Sequence, residues 1–145
     1  MRLRILLAAL LSVSAVGLAE DYADTSKLAG SWDQDGKTTW KLAPTNDGVH
    51  FTFMRGGQTV ADFECNTSGK DCPIKMDGKK ATVSVYFNGP LLVMMQTRGN
   101  DVVKWRFGAL GDGNQMQVEM TAITGNAKSE TLHYKRTDAP QAASR

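Results

Sequence analysis

Residues 83–107 read VSVYFNGPLLVMMQTRGNDVVKWRF, and the phase of this run decides the fold. Two hairpin signals, Asn88-Gly89 and Gly99-Asn100, break it into three short strands. Asn and Gly tolerate the positive φ that a two-residue turn demands. Taking Asn88-Gly89 as the turn pairs Phe87 with Pro90, Val85 with Leu92 and Val83 with Met94. Taking Gly99-Asn100 the same way pairs Gln96 with Val103, Met94 with Trp105 and Leu92 with Phe107. Both turns put Leu92 and Met94 on one face with Val83, Val85, Phe87, Val103, Trp105 and Phe107. Strand side chains alternate with period two, so this agreement defines an inner face.

Outward from this core the pattern repeats. Asp47-Gly48, Gly56-Gly57, Asp77-Gly78, Asp112-Gly113 and Gly125-Asn126 mark further turns. Between them Trp40 shares a face with Leu42, Val49 with Phe51 and Phe53, and Ala61 with Phe63. Met116, Val118 and Met120 share a face, as do Leu132 and Tyr134. Short alternating strands at even spacing, with short links, predict an all-β, up-and-down antiparallel meander of about eight strands. Closing it into a barrel removes the sheet edges; a two-sheet sandwich is the alternative.

Residues 1–19 read as a targeting segment rather than structure. Arg2 and Arg4 precede an apolar run, Ile5 to Val16, and Gly17-Leu18-Ala19 supplies the small residues of a cleavage site. Cleavage after Ala19 leaves an N-terminal arm (20–27), a barrel domain (28–137) and a C-terminal tail (138–145). The expected location is periplasmic or secreted. The whole chain has 17 basic and 15 acidic residues. Losing Arg2 and Arg4 leaves 15 against 15, so the mature chain is formally neutral. That removes the electrostatic case for nucleic acid or an anionic membrane. No membrane insertion is expected after cleavage.

The two cysteines, Cys65 and Cys72, allow one intramolecular pairing. In an oxidising compartment they are expected to form a disulfide around a polar loop, Asn66–Asp71. They are not a Cys-x-x-Cys redox pair.

Leu28-Ala29-Gly30-Ser31-Trp32 places a Gly-x-Trp ahead of the first strand, and Arg136 is in phase with Leu132 and Tyr134. This resembles the lipocalin-like barrels. The resemblance implies that Trp32 closes the barrel floor, that Gly30 permits close backbone approach, and that Arg136 stacks on the indole. Small exported bacterial proteins of about this length are similar over most of the mature chain. The likeness rests on Gly69-Lys70-Asp71-Cys72-Pro73 and on Leu110-Gly111-Asp112-Gly113 leading into Met116-Gln117-Val118. It implies fold and export, not an activity.

Groups for catalysis are sparse. By alternation His50 and His133 point outward on distant strands, so they form neither a metal site nor an oriented base. Asp62 and Glu64 share one solvated strand face. Met94, Met95, Met116 and Met120 are not clustered as a thioether site for copper. The expectation is a non-enzyme with no metal and no cofactor. The inner face offers a candidate apolar ligand surface: Trp40, Phe51, Phe53, Phe87, Met94, Trp105, Met116, Met120 and Tyr134. The outer face offers a second candidate. Tyr86, Leu91, Val93, Met95 and Val102 form an outward apolar patch, unless the arm covers it. On this reading Val93→Asp barely disturbs the fold while Met94→Asp unfolds it. The expected function is binding, of a small apolar molecule inside the barrel or of another exported protein, or a second copy of the chain, on the patch. The alternative class is an inhibitor of an exported protease or lysozyme, acting through the arm.

Overall fold

In the computed structural model, which describes residues 22–125 and 128–138, the hairpin signals become ten antiparallel strands. They are β1 (Gly30–Gln34), β2 (Thr38–Pro44), β3 (Gly48–Arg55), β4 (Gln58–Asn66) and β5 (Ser68–Met76). β6 (Lys79–Asn88), β7 (Leu91–Arg98), β8 (Asp101–Leu110), β9 (Gln115–Ala122) and β10 (Ser129–Arg136) follow. Each pairs with its chain neighbour except β4 with β5, and β1 also pairs with β10. The meander is therefore a barrel with one seam, between β4 and β5.

Ten strands rather than about eight have two local causes. Trp32 lies inside β1, not ahead of the first strand. The hairpin that follows it turns through a three-residue loop, Asp35-Gly36-Lys37, with Asp35 and Gly36 both at positive φ. The second extra strand is β5, which carries Cys72 and Pro73 and whose first half is polar.

The register at Gly99-Asn100 is as expected, with Gln96 opposite Val103, Met94 opposite Trp105 and Leu92 opposite Phe107. At the other hairpin the pairing slips by two. Phe87 faces Leu92, Val85 faces Met94 and Val83 faces Gln96. The loop residues are Gly89 and Pro90, with Gly89 at φ 57°. Proline fixes φ near −65° and has no N–H for a ladder, so it takes the second loop position instead of opening β7. A slip of two preserves parity, so every inward and outward assignment survives it.

One end of the barrel, the floor, is capped by a 3-10 turn, Thr25–Leu28. Asp24 caps this turn by accepting from the Ser26 N–H at 2.8 Å. Trp32 is fully buried there and its Nε1 donates to the Leu28 carbonyl at 2.9 Å. Arg136 is directly opposite Trp32 in the ladder, and its guanidinium lies 4.2 Å from the indole ring centre. The same guanidinium donates to the carbonyls of Gly113 (2.9 Å), Ala29 (2.7 Å) and Lys27 (2.5 Å). Gly30 has φ 137°, and a Cβ there would collide with Arg136.

The seam is closed at both ends by other means. At the floor end the Cys65–Cys72 disulfide bridges β4 and β5. Such a short loop is worth roughly 2.5 kcal/mol in the chain-entropy account. At the opposite end the Asp77 N–H donates to the Val60 carbonyl at 2.9 Å. Between them a lateral cleft of about 810 Å³ opens beside Phe63 and Ile74.

Candidate functional site

The barrel interior is divided by an aromatic plug. Trp40 stacks on Phe53 at 4.4 Å and meets Phe107 and Trp105 edge-on at 5.1 and 5.5 Å; Phe51 stacks on Phe63 at 5.0 Å. Cross-strand pairing produces this cluster, because Trp40 faces Phe53 and Leu42 faces Phe51 across β2 and β3. Trp40, Phe51, Met94 and Met116 are fully buried within it and serve as core.

The interior residues predicted to face a ligand therefore separate into three groups. Those four fill the middle. Phe53, Trp105, Met120 and Tyr134 line a cleft of about 540 Å³ at the end opposite the floor, the mouth. Phe87 is the exception: it is 47% exposed and sits at the rim of a smaller floor cleft of about 240 Å³. It keeps its inward phase, opposite Leu92, but lies one residue before the hairpin end of β6, so it reaches the floor cleft and not the mouth.

Sequence reasoning put Val103 on the inner face and Leu132 in phase with Tyr134, but it did not offer them or the rest of the mouth lining as ligand-facing. Met76, Val103 and Leu132 add apolar surface, and Gln34, Thr38 and Gln96 add polar groups. Gln96 is in phase with Leu92 and Met94, so a polar residue among inward apolar ones was the available signal.

The polar groups of the mouth are ordered by hydrogen bonds. Trp105 Nε1 donates to Gln96 Oε1 at 3.0 Å. Tyr134 and Thr38 hydroxyls are 2.7 Å apart, and the Thr38 hydroxyl donates to Gln34 Oε1 at 3.0 Å. Burial pushes the Tyr134 phenol above its ordinary pKa, opposed by hydrogen bonding to Thr38 and Trp40 and reinforced by the carboxylates of Asp33 and Glu130. At neutral pH it is a protonated hydroxyl. Lys37, Arg55 and Glu130 bring formal charges to the same lining. Arg55, well exposed, reaches 4.0 Å from Asp77.

On the outer face the parity is as expected but the exposure is not. Leu91 and Val93 point outward, yet Leu91 is buried and Val93 is 0% exposed; Tyr86, Met95 and Val102 are half-buried. The arm accounts for part of this. Tyr22 bridges to Leu110, and the Ala23 N–H donates to the Ala109 carbonyl at 2.8 Å. The Tyr22 ring lies against Gly108, next to the Leu91 side chain, where any larger residue would clash. An open apolar patch centred on Val93 is thus not what the chain presents. The described part of the arm is docked on β8, an arrangement that gives no support to an inhibitory free arm.

His50 hydrogen-bonds Asp62 across β3 and β4 on the outer face, and His133 is exposed on β10. Among the described residues no group of three or more His, Cys, Asp or Glu is placed to hold a metal ion. No helix among them is long and apolar enough to cross a membrane. The segment read as a targeting signal lies outside the described residues.

No protein-family model matches the sequence, and no curated protein sequence does. Solved structures match in shape. Secretory abundant heat soluble protein 4 from Ramazzottius varieornatus superposes with a TM-score of 0.65 at 13% identity, over 80% of this chain and 99% of that one. A Schistosoma mansoni fatty acid binding protein, solved in complex with arachidonic acid, superposes with a TM-score of 0.64 at 14% identity, over 80% and 100%. At these identities the likeness concerns the fold alone. The chain has the all-β barrel fold of the lipocalin-like and fatty-acid-binding proteins.

Proposed function

We propose that the mouth cleft binds a small, largely apolar molecule without transforming it. The observation that carries this is the uneven filling of the barrel. Aromatic side chains pack the middle, while about 540 Å³ stays open above Phe53, Trp105, Met120 and Leu132. That volume falls in the ordinary range for small-molecule sites, and an apolar lining with a few placed polar groups is their usual composition. The plug beneath sets a limit on the guest: it enters half the barrel, not its full length. The fold shared with the arachidonic-acid-bound barrel supports the same reading. Export belongs with it, supported by the Cys65–Cys72 bond, since such bonds persist in oxidising compartments.

The test is a fluorescence titration with N-phenyl-1-naphthylamine, a neutral apolar probe. Saturable enhancement is expected. Leu132→Trp, which fills the half-open mouth, should weaken the probe at least about tenfold, or about 1.4 kcal/mol, and leave the melting temperature nearly unchanged. Unaltered binding by that variant would place the probe elsewhere, and no saturable binding would refute the proposal.

A further inference from the structure

We propose that the guest of the mouth, if that cleft is the binding site argued above, is an uncharged molecule whose buried end carries a carbonyl group that accepts a hydrogen bond from the Gln96 side-chain amide. Gln96 is 8% exposed, so its amide is largely removed from water. An indole N–H can only donate, so the Trp105 bond identifies the Gln96 atom it reaches as the oxygen. The amide cannot flip without losing that bond. Its NH₂ group has no hydrogen-bond partner among the described residues, and Gln96 is part of the mouth lining. The group keeps some contact with water, since the fully buried unpartnered side-chain atoms among the described residues are Trp40 Nε1 and Thr45 Oγ1. A guest that displaces this water leaves the donor unpaired unless it supplies an acceptor.

The other buried hydroxyls of the mouth do not compete for this role. Thr38 has one hydroxyl proton, and it goes to Gln34 Oε1. The Tyr134 hydroxyl therefore donates to Thr38 in the 2.7 Å contact, and its only proton is used. Gln96 thus holds the free donor. Trp40 Nε1 is buried in the plug beside the Tyr134 hydroxyl and is not part of the cleft lining.

The electrostatics select an uncharged acceptor. The buried polar groups of the mouth, Gln96, Thr38 and Tyr134, are neutral. The lining cations, Lys37 and Arg55, are solvent-exposed; Arg55 sits over the Phe53 ring beside Asp77, and neither is hydrogen-bonded to these groups. A carboxylate taken down to Gln96 would give up its hydration without gaining a counter-charge. A hydroxyl would satisfy the amide too, but its own proton then needs an acceptor in suitable geometry, such as the second lone pair of Gln96 Oε1. A ketone, aldehyde or ester carbonyl accepts and demands nothing in return. An apolar chain bearing one such group matches both the lining and the donor.

The experiment is displacement of N-phenyl-1-naphthylamine from the full chain by three matched molecules, 2-decanone, decane and decanoate. The ketone is expected to displace the probe at concentrations at least tenfold below the other two. Gln96→Leu should abolish its advantage over decane while decane itself still binds. In the wild-type protein the Gln96 side-chain amide NMR signals should shift with 2-decanone and stay put with decane, a readout that does not depend on a variant folding. Equal displacement by ketone and alkane, with an unmoved Gln96 amide, would overturn the proposal and leave the mouth as a purely apolar site. Preference for decanoate would overturn it in favour of recognition by rim cations. Failure of all three, and of the probe, would overturn the binding site itself.

Discussion

Replacing Trp32 with alanine is expected to cost about 3–5 kcal/mol of folding stability, the range for deleting a large aromatic from a packed core. The indole is fully buried, and it closes the floor through three separate contacts. Its Nε1 holds the Leu28 carbonyl, its ring lies under Arg136, and its backbone pairs β1 with both β2 and β10. Alanine keeps only the last. The loss also strips the apolar cover from a guanidinium that is itself 4% exposed and committed to three backbone carbonyls. Chemical denaturation read by circular dichroism measures the effect. A loss below about 1 kcal/mol would show that the floor is not held by this residue.

Met94→Asp and Val93→Asp are expected to destabilise the chain severely but unequally. Met94 is fully buried between Val85 and Trp105, where an aspartate would have no partner, so a loss above about 4 kcal/mol is expected. Val93 is equally buried but on the outer face, with Tyr86 and Arg106 as its ladder neighbours. There an aspartate would meet Arg106, already paired with Glu119 at 3.1 Å, so a loss of roughly 2–3 kcal/mol is expected. Thermal melts of the two variants give the order. A harmless Val93→Asp would restore an open outer patch. A Val93→Asp worse than Met94→Asp would contradict the parity of β7.

That parity was legible in residues 83–107 because two independent turns had to agree on it, and period two forgives a slip of two residues. The barrel floor was legible because Gly30, Trp32 and Arg136 have one steric and electrostatic reason to coexist. What escaped reading escaped for physical reasons. β5 begins with Ser68-Gly69-Lys70-Asp71, which carries no apolar alternation, and its pairing with β6 rather than local preference makes it a strand. Asp35-Gly36 was present in the sequence as a turn signal, but the hairpin is short and its first strand has Trp32 as its one buried residue. The burial of Val93 and Leu91 depends on tertiary cover, of which the docking of Tyr22 on Gly108 is one part, and no strand pattern reports such docking.

The site shows the same division. Alternation identified which side chains face inward, but not which of them touch one another. Trp40, Phe51, Met94 and Met116 differ from Phe53, Trp105, Met120 and Tyr134 by their height in the barrel, which follows from stagger between strands. The orientation of the Gln96 amide depends on Trp105, nine positions away in the chain and set beside it by the Gly99-Asn100 hairpin.

The protein has three tryptophans, Trp32 at the floor, Trp40 in the plug and Trp105 in the mouth lining, so its indole N–H signals report on three levels of the barrel. The most direct test of ligand binding at the mouth is to follow these signals by NMR while titrating 2-decanone or N-phenyl-1-naphthylamine. The account predicts a saturable shift of the Trp105 resonance, a smaller one for Trp40 and none for Trp32. A titration that moves Trp32 and leaves Trp105 in place would contradict it.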